Sequence, residues 1–132
     1  MQELDKIFAN HEKRFETIAK LSTADSSFQV VDDTPKFSGQ ARASVNYSIG
    51  GIDYSFVTVE NYERDAISNT KESARSEFIF KSSFLKLGNI IFVTSSIPYV
   101  ADIEYAYGYR PFGKAIQSWQ QTVNDAVRKV NK

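Results

Sequence analysis

The residue types that carry most enzymatic chemistry are sparse in this chain. His11 is the single histidine, so any Ser–His nucleophile pair has to be built on it. It sits on the apolar stripe of a helical segment, a position that more often serves packing than catalysis. Asp32 and Asp33 form the one adjacent acidic pair, and two aspartates ahead of Thr34–Pro35 suit turn formation. A small enzyme using His11 or Asp33 is therefore the reading with least support. Gly50–Gly51 has no following Lys-Ser/Thr and opens no helix, so it is not a phosphate-cradling loop. There is no cysteine, which excludes disulfides and thiolate zinc sites. The residues predict no metal, no cofactor and no catalytic activity.

What remains is the stretch from Ser95 to Gly108. Tyr99, Tyr105, Tyr107 and Tyr109 fall within eleven residues, followed by Arg110 and Phe112. Four tyrosines on so short a segment cannot all point inward. Core packing accounts for some, and an interface, where Tyr and Arg are enriched, for the rest. The spacing puts Tyr99 and Ile103 inside and Tyr107 or Tyr109 outside. Glu104 lies off the Val100–Ile103–Tyr107 stripe. It is either a solvated charge or the partner of a basic residue such as Arg110 or Arg42, within one subunit or across a boundary. Stacking on nucleic acid would also use Tyr and Arg, so a generic α+β binding module built on the cluster 99–110 is the alternative function. Sixteen acidic and sixteen basic residues give a formal net charge of zero, which disfavours phosphate neutralisation as its source of affinity.

Positioning that stretch requires a framework, and 132 residues is the length of one domain. Leu4, Ile7, Phe8, His11, Phe15 and Ile18 recur at spacings of three and four, predicting a helix over 2–22. Ser22 to Ser27 reads as a polar break, and Phe28 to Pro35 as an extended approach, because the residue before a proline avoids helical backbone. Residues 38–44 could form one helical turn. Val45, Tyr47 and Ile49 alternate with polar residues, Gly50–Gly51 is a turn signal, and Ile52, Tyr54 and Phe56 alternate again, predicting a β-hairpin. Polar residues 61–71 read as an exposed loop, within a loop or extension over 52–71.

Ala74, Phe78, Ser82 and Leu85 share one helical stripe over 70–84, and Leu87–Gly88–Asn89 is a turn. The uncharged run 90–95 reads as a central strand. Pro98 opens a short helix that Gly108 closes. Phe112, Ile116, Trp119, Val123, Ala126, Val127 and Val130 mark a final helix over 111–130. The fold class is α+β: a single domain over 1–132, with a small mixed, mostly antiparallel sheet packed by an N-terminal helix and a long C-terminal helix. The charged N-terminus lacks a signal-peptide core, and the longest apolar run, from Ile90 to Val93, is far below the roughly 20 residues that span a bilayer. A soluble intracellular product, or one released by lysis, is expected.

Two segments resemble the small neck and tail-completion proteins of tailed bacteriophages. In that family a strand is followed by a motif of the type Asn-Asn-Leu-Pro-Tyr-Ala-x-x-Leu-Glu-Tyr-Gly, which Ser96-Ile97-Pro98-Tyr99-Val100-Ala101-Asp102-Ile103-Glu104-Tyr105 is similar to. Ala106–Tyr107 displace the glycine to Gly108, and Arg110-Pro111-Phe112-Gly113 keeps a later Pro and Gly. Upstream, Thr34-Pro35-Lys36-Phe37-Ser38-Gly39-Gln40-Ala41-Arg42-Ala43-Ser44-Val45 resembles a Thr-Pro-Val-Asp-Thr-Gly-Arg-x-Arg-Ala-Asn-Trp motif, with Phe37, Gln40 and Val45 departing from it. The resemblance covers about 100 residues. It implies a non-catalytic virion component, assembled in the host cytoplasm, that forms a homo-oligomeric ring, commonly a hexamer, at the tail end or head–tail junction. It implies connector or adaptor proteins and the tail-tube protein as partners, DNA passing without specific binding, and no membrane. Arg42, Tyr99, Glu104, Tyr105, Tyr107, Tyr109 and Arg110 are the expected interface residues.

Overall fold

The computed structural model describes residues 2–34, 42, 44–56, 70–106 and 108–131. In chain order these form helix α1 (Gln2–Asp33), strand β1 (Asn46–Ile49), helix α2 (Thr70–Ser82), strand β2 (Ile91–Thr94), a π-helical turn (Asp102–Ala106) and helix α3 (Pro111–Val130). The result is a small α+β fold, two long helices and a shorter one around a two-stranded antiparallel ribbon.

α1 is longer than its sequence pattern suggests, because the polar stretch 22–27 does not interrupt it. Hydroxyls that could break the helix instead bond back along it. Thr23 Oγ1 donates to the Ala19 carbonyl at 2.8 Å and Ser27 Oγ to the Thr23 carbonyl at 2.8 Å. Tertiary packing then holds the segment. Ser22, Ala24 and Ser27 are buried, and Val30 and Val31, expected in an extended approach, lie in the core. The helix ends at Thr34, a buried bend whose N–H reaches the Val30 carbonyl at 3.1 Å and whose hydroxyl reaches the same oxygen at 2.6 Å. Most of the expected turn over 38–44 lies outside the described residues.

The hairpin expected across Gly50–Gly51 does not form among the described residues. β1 pairs with β2 instead, in the register Asn46↔Thr94, Tyr47↔Val93, Ser48↔Phe92 and Ile49↔Ile91. Gly50, at φ +84°, turns the chain out of the ribbon, after its N–H extends the ladder to the Ile90 carbonyl at 2.8 Å. Residues 52–56 make no ladder. They fold over the outer face of the ribbon, where the Asp53 carbonyl accepts from Asn46 Nδ2 at 3.2 Å and from Thr94 Oγ1 at 3.0 Å. With two strands in the described sheet, β2 is half-exposed rather than central. Residues 57–69, the rest of the expected loop, lie outside the described residues.

The ribbon's inner face carries Val45, Tyr47, Ile49, Ile91 and Val93 into one cluster with Val30, Val31, Phe78 and Ala115. α2 enters it through Ala74 and Phe78, and the other two residues of the expected stripe, Ser82 at the end of α2 and Leu85 three residues beyond it, are buried too. Arg75 lies 5.3 Å from the Phe28 ring centroid and ties α2 to α1. At the ribbon's centre Tyr47 meets Thr23, hydroxyl to hydroxyl, at 2.8 Å. Burial raises the Tyr47 pKa above 10.0, and the Thr23 contact opposes this in part.

α1 and α3 run antiparallel. Gln29 Nε2 donates to Ser118 Oγ at 3.2 Å, while Asp25, one turn earlier, lies 3.8 Å from Lys129 near the end of α3. Residues 2–15 of α1 are exposed throughout, an arm running past the C-terminal end of α3.

Candidate assembly site

Pro98 begins the turn that positions the site. The Val100 N–H bonds the Ile97 carbonyl at 3.2 Å and the Ile103 N–H bonds the Tyr99 carbonyl at 3.3 Å. Residues 102–106 then widen into a π-helical turn, which holds more residues per turn than an α-helix. That extra residue changes which side chains face inward. Ile103 is buried as expected, and Glu104, expected off the Val100–Ile103–Tyr107 stripe, is buried beside it at 9% exposure. Gly108, at φ +74°, ends the turn.

Glu104 is directed at the start of α3. Its Oε2 accepts the Phe112 N–H at 3.0 Å and its Oε1 accepts the Gly113 N–H at 2.8 Å. These are second- and third-position amides of α3, groups with no partner inside the helix. The residue before the helix, Arg110, is left-handed at φ +46° and provides no side-chain cap. A carboxylate from the preceding turn substitutes for the missing Ser, Thr, Asp or Asn, and meets the positive end of the helix dipole. The charged partner sought for Glu104 in Arg110 or Arg42 is therefore a pair of backbone amides. The signal available in sequence was the absence of any capping residue before Pro111.

The same junction leaves little room for a side chain at Gly113. A Cβ built on it would stand 3.0 Å from Arg110 Nη2 and 3.1 Å from Glu104 Oε1. The guanidinium thus lies over the first turn of α3, beside the buried carboxylate.

Among the other expected interface residues, Tyr99 is half-buried against Ile97 and Ile103. Tyr105 is 78% exposed and Tyr109 is exposed. Tyr107 lies outside the described residues. Arg42 is engaged at the end of α1, where its Nε donates to the Thr34 carbonyl at 2.7 Å. The structure nonetheless brings the two motif-bearing segments together. Thr34 and Val45 from the first, and Ile97, Ile103, Pro111 and Phe112 from the second, enclose a gap of about 10 Å³. His11 is exposed on the α1 arm beside Phe15, and Asp33 is half-buried at the end of α1. No group of three or more His, Asp or Glu among the described residues is placed to hold a metal ion. No described helix is long and apolar enough to cross a membrane.

The surface next to the junction is apolar. Val100, Tyr105, Phe112 and Ile116, with Arg110 at one end, line an open groove of about 570 Å³. A second groove of about 370 Å³ continues it through Phe112, Ile116 and Trp119 to Val93 and Val30. This follows from how α3 is rotated. Its buried side is Pro111, Ala115 and Ala126, with Ser118 and Thr122 half-buried, so α1 packs on small residues. The apolar stripe expected in the core is turned partly sideways: Ala126 is buried and Phe112, Val123, Val127 and Val130 are half-buried, but Ile116 is 76% and Trp119 42% exposed. Ile116 and Trp119 were legible as apolar but not as surface.

No family model matches the chain, and no curated relative or solved structure is similar enough to it to count as a match.

Proposed function

We propose that this chain is a structural subunit that assembles with its own copies, and that its place is the phage neck or tail end. There a ring of such subunits would complete or terminate the tail and join it to the head connector. The observation that carries the reading is the apolar stripe of α3, turned partly sideways. Its exposed Ile116 and Trp119 continue into the groove beside the Glu104 junction. Contiguous exposed apolar surface of this kind marks interaction sites, and the Tyr105 and Arg110 that line it are of interface composition. The two segments resembling the phage motifs pack on each other behind this surface, which supports a shared structural role for them. A zero net charge suits a conduit that passes DNA without holding it. Rings close through head-to-tail contacts between unlike surfaces, and the role assigns no catalysis to the chain.

The test is electron microscopy of the purified protein, alone and mixed with tail tubes. Rings with a central opening, or rings seated on tube ends, are the expected result. A protein that stays monomeric at micromolar concentration and binds neither tubes nor connectors overturns the reading.

A further inference from the structure

The α1 arm and the α3 groove occupy opposite ends of the molecule and have complementary surfaces. Leu4, Ile7, Phe8 and Phe15 form an exposed apolar stripe along the arm, about 16 Å long at 1.5 Å per residue. The strip from Phe112 to Val123 on α3 has the same span, about 16 Å by the same rise. One flank of the arm stripe is acidic, with Asp5 and Glu12 both exposed on it. The groove's open end carries the exposed Arg110. No ion pair joins any of these three to another described residue.

A chain cannot fill its own groove. Ser26 and Val30 of α1 form one wall of it, and the arm is the other end of that same unbroken helix. From Phe15 to Ser26 the helix advances about 16 Å away from the groove, and folding the arm back would require breaking α1. We propose that the arm of one copy docks by Leu4, Ile7, Phe8 and Phe15 into the Phe112–Ile116–Trp119 groove of a second copy. One of the two acidic residues, Asp5 or Glu12, then faces Arg110 of the receiving chain, according to the direction in which the arm lies. The contact joins unlike surfaces, so each subunit gives one arm and receives another. This inference extends the self-association proposed above, but does not depend on a phage setting.

The chain has no cysteine, so engineered thiols have no competitors. The experiment mixes two full-length variants, Phe8→Cys and Ile116→Cys, one isotopically labelled, and treats them with a short bismaleimide. The expected product is a cross-linked pair with one chain of each kind, formed several-fold more than with Lys6→Cys, which lies on the opposite side of the arm. A second variant, Phe8→Glu with Phe15→Glu, is expected to reduce the mass in light scattering to that of the monomer, while the circular dichroism stays helical. Absence of the mixed cross-link overturns arm docking, whatever the assembly state. A ring that forms without the mixed cross-link leaves the ring reading standing. A mixed cross-link confined to a two-chain complex supports docking and removes the ring.

Discussion

Glu104 Oε1 accepts the backbone N–H of Gly113 at 2.8 Å, nine residues along the chain, while the other carboxylate oxygen takes the amide of Phe112 at 3.0 Å. One buried side chain therefore joins the π-helical turn to α3 and fixes the angle at which α3 leaves. The groove beside it depends on that angle.

Glu104→Ala leaves two amides at a buried helix start without partners and removes a favourable charge from the dipole. The expected loss is about 1–3 kcal/mol, measured by urea denaturation. Glu104→Gln keeps an acceptor of nearly the same shape and loses the charge, so it is expected to cost less, about 0.3–1 kcal/mol. Equal losses from the two changes would show that the carboxylate charge contributes nothing.

Gly113→Ala separates two opposing effects. Alanine inside a helix is favoured over glycine by about 1 kcal/mol, but here its Cβ would lie 3.1 Å from Glu104 Oε1 and 3.0 Å from Arg110 Nη2. The guanidinium, at the end of a long exposed side chain, can move. The carboxylate cannot retreat without lengthening its bonds. In the native background Gly113→Ala is expected to bring no gain. In Glu104→Ala it is expected to stabilise by up to about 1 kcal/mol. A double-mutant cycle reads the difference as coupling, and additive effects would contradict the close approach.

Tyr47 sets an alkaline limit. Burial holds its hydroxyl protonated above 10.0, against the smaller lowering effect of Thr23. Above that pH the unfolded chain releases the proton before the folded one does, so stability falls as pH rises through this range. Tyr47→Phe is expected to cost about 0.5–1.5 kcal/mol near neutral pH and to flatten the decline above pH 10 in thermal melts. An unchanged alkaline slope would place the titrating group elsewhere.

Local pattern and tertiary structure agree where one physical effect dominates. The stripe Ala74–Phe78–Ser82–Leu85 was legible because a helix packed on one side needs one apolar face. α3 was legible because Phe112, Ile116, Trp119, Val123, Ala126, Val127 and Val130 recur at helical spacing. Three features were not. The serines and threonines of 22–27 read as a break because their hydroxyls compete with backbone bonding, yet here Thr23 and Ser27 bond to carbonyls within α1. Glu104 read as either a solvated charge or the partner of an arginine because α-helical spacing was assumed where the backbone is π-helical. β1 read as half of a hairpin because Gly50–Gly51 is a turn signal, whereas its partner lies more than forty residues downstream, beyond the range of local pattern.

The rotation of α3 supplies the most discriminating stability test. Ala126 is fully buried and Ile116 is 76% exposed, although both lie within the apolar pattern. Ala126→Leu forces extra methyl groups into the α1–α3 contact and is expected to cost about 1–3 kcal/mol. Ile116→Ser removes a side chain already in water and is expected to change monomer stability by no more than about 0.5 kcal/mol, measured by denaturation at low protein concentration. If α3 turned its larger stripe inward, the order would reverse. Ile116→Ser would then cost at least about 2 kcal/mol, as loss of a buried isoleucine does, and Ala126→Leu would be tolerated at the surface. Repeating the Ile116→Ser measurement at high concentration separates packing from assembly. An exposed stripe buried only between copies loses its concentration-dependent stabilisation on this substitution, whereas a stripe buried within the chain shows the same deficit at every concentration.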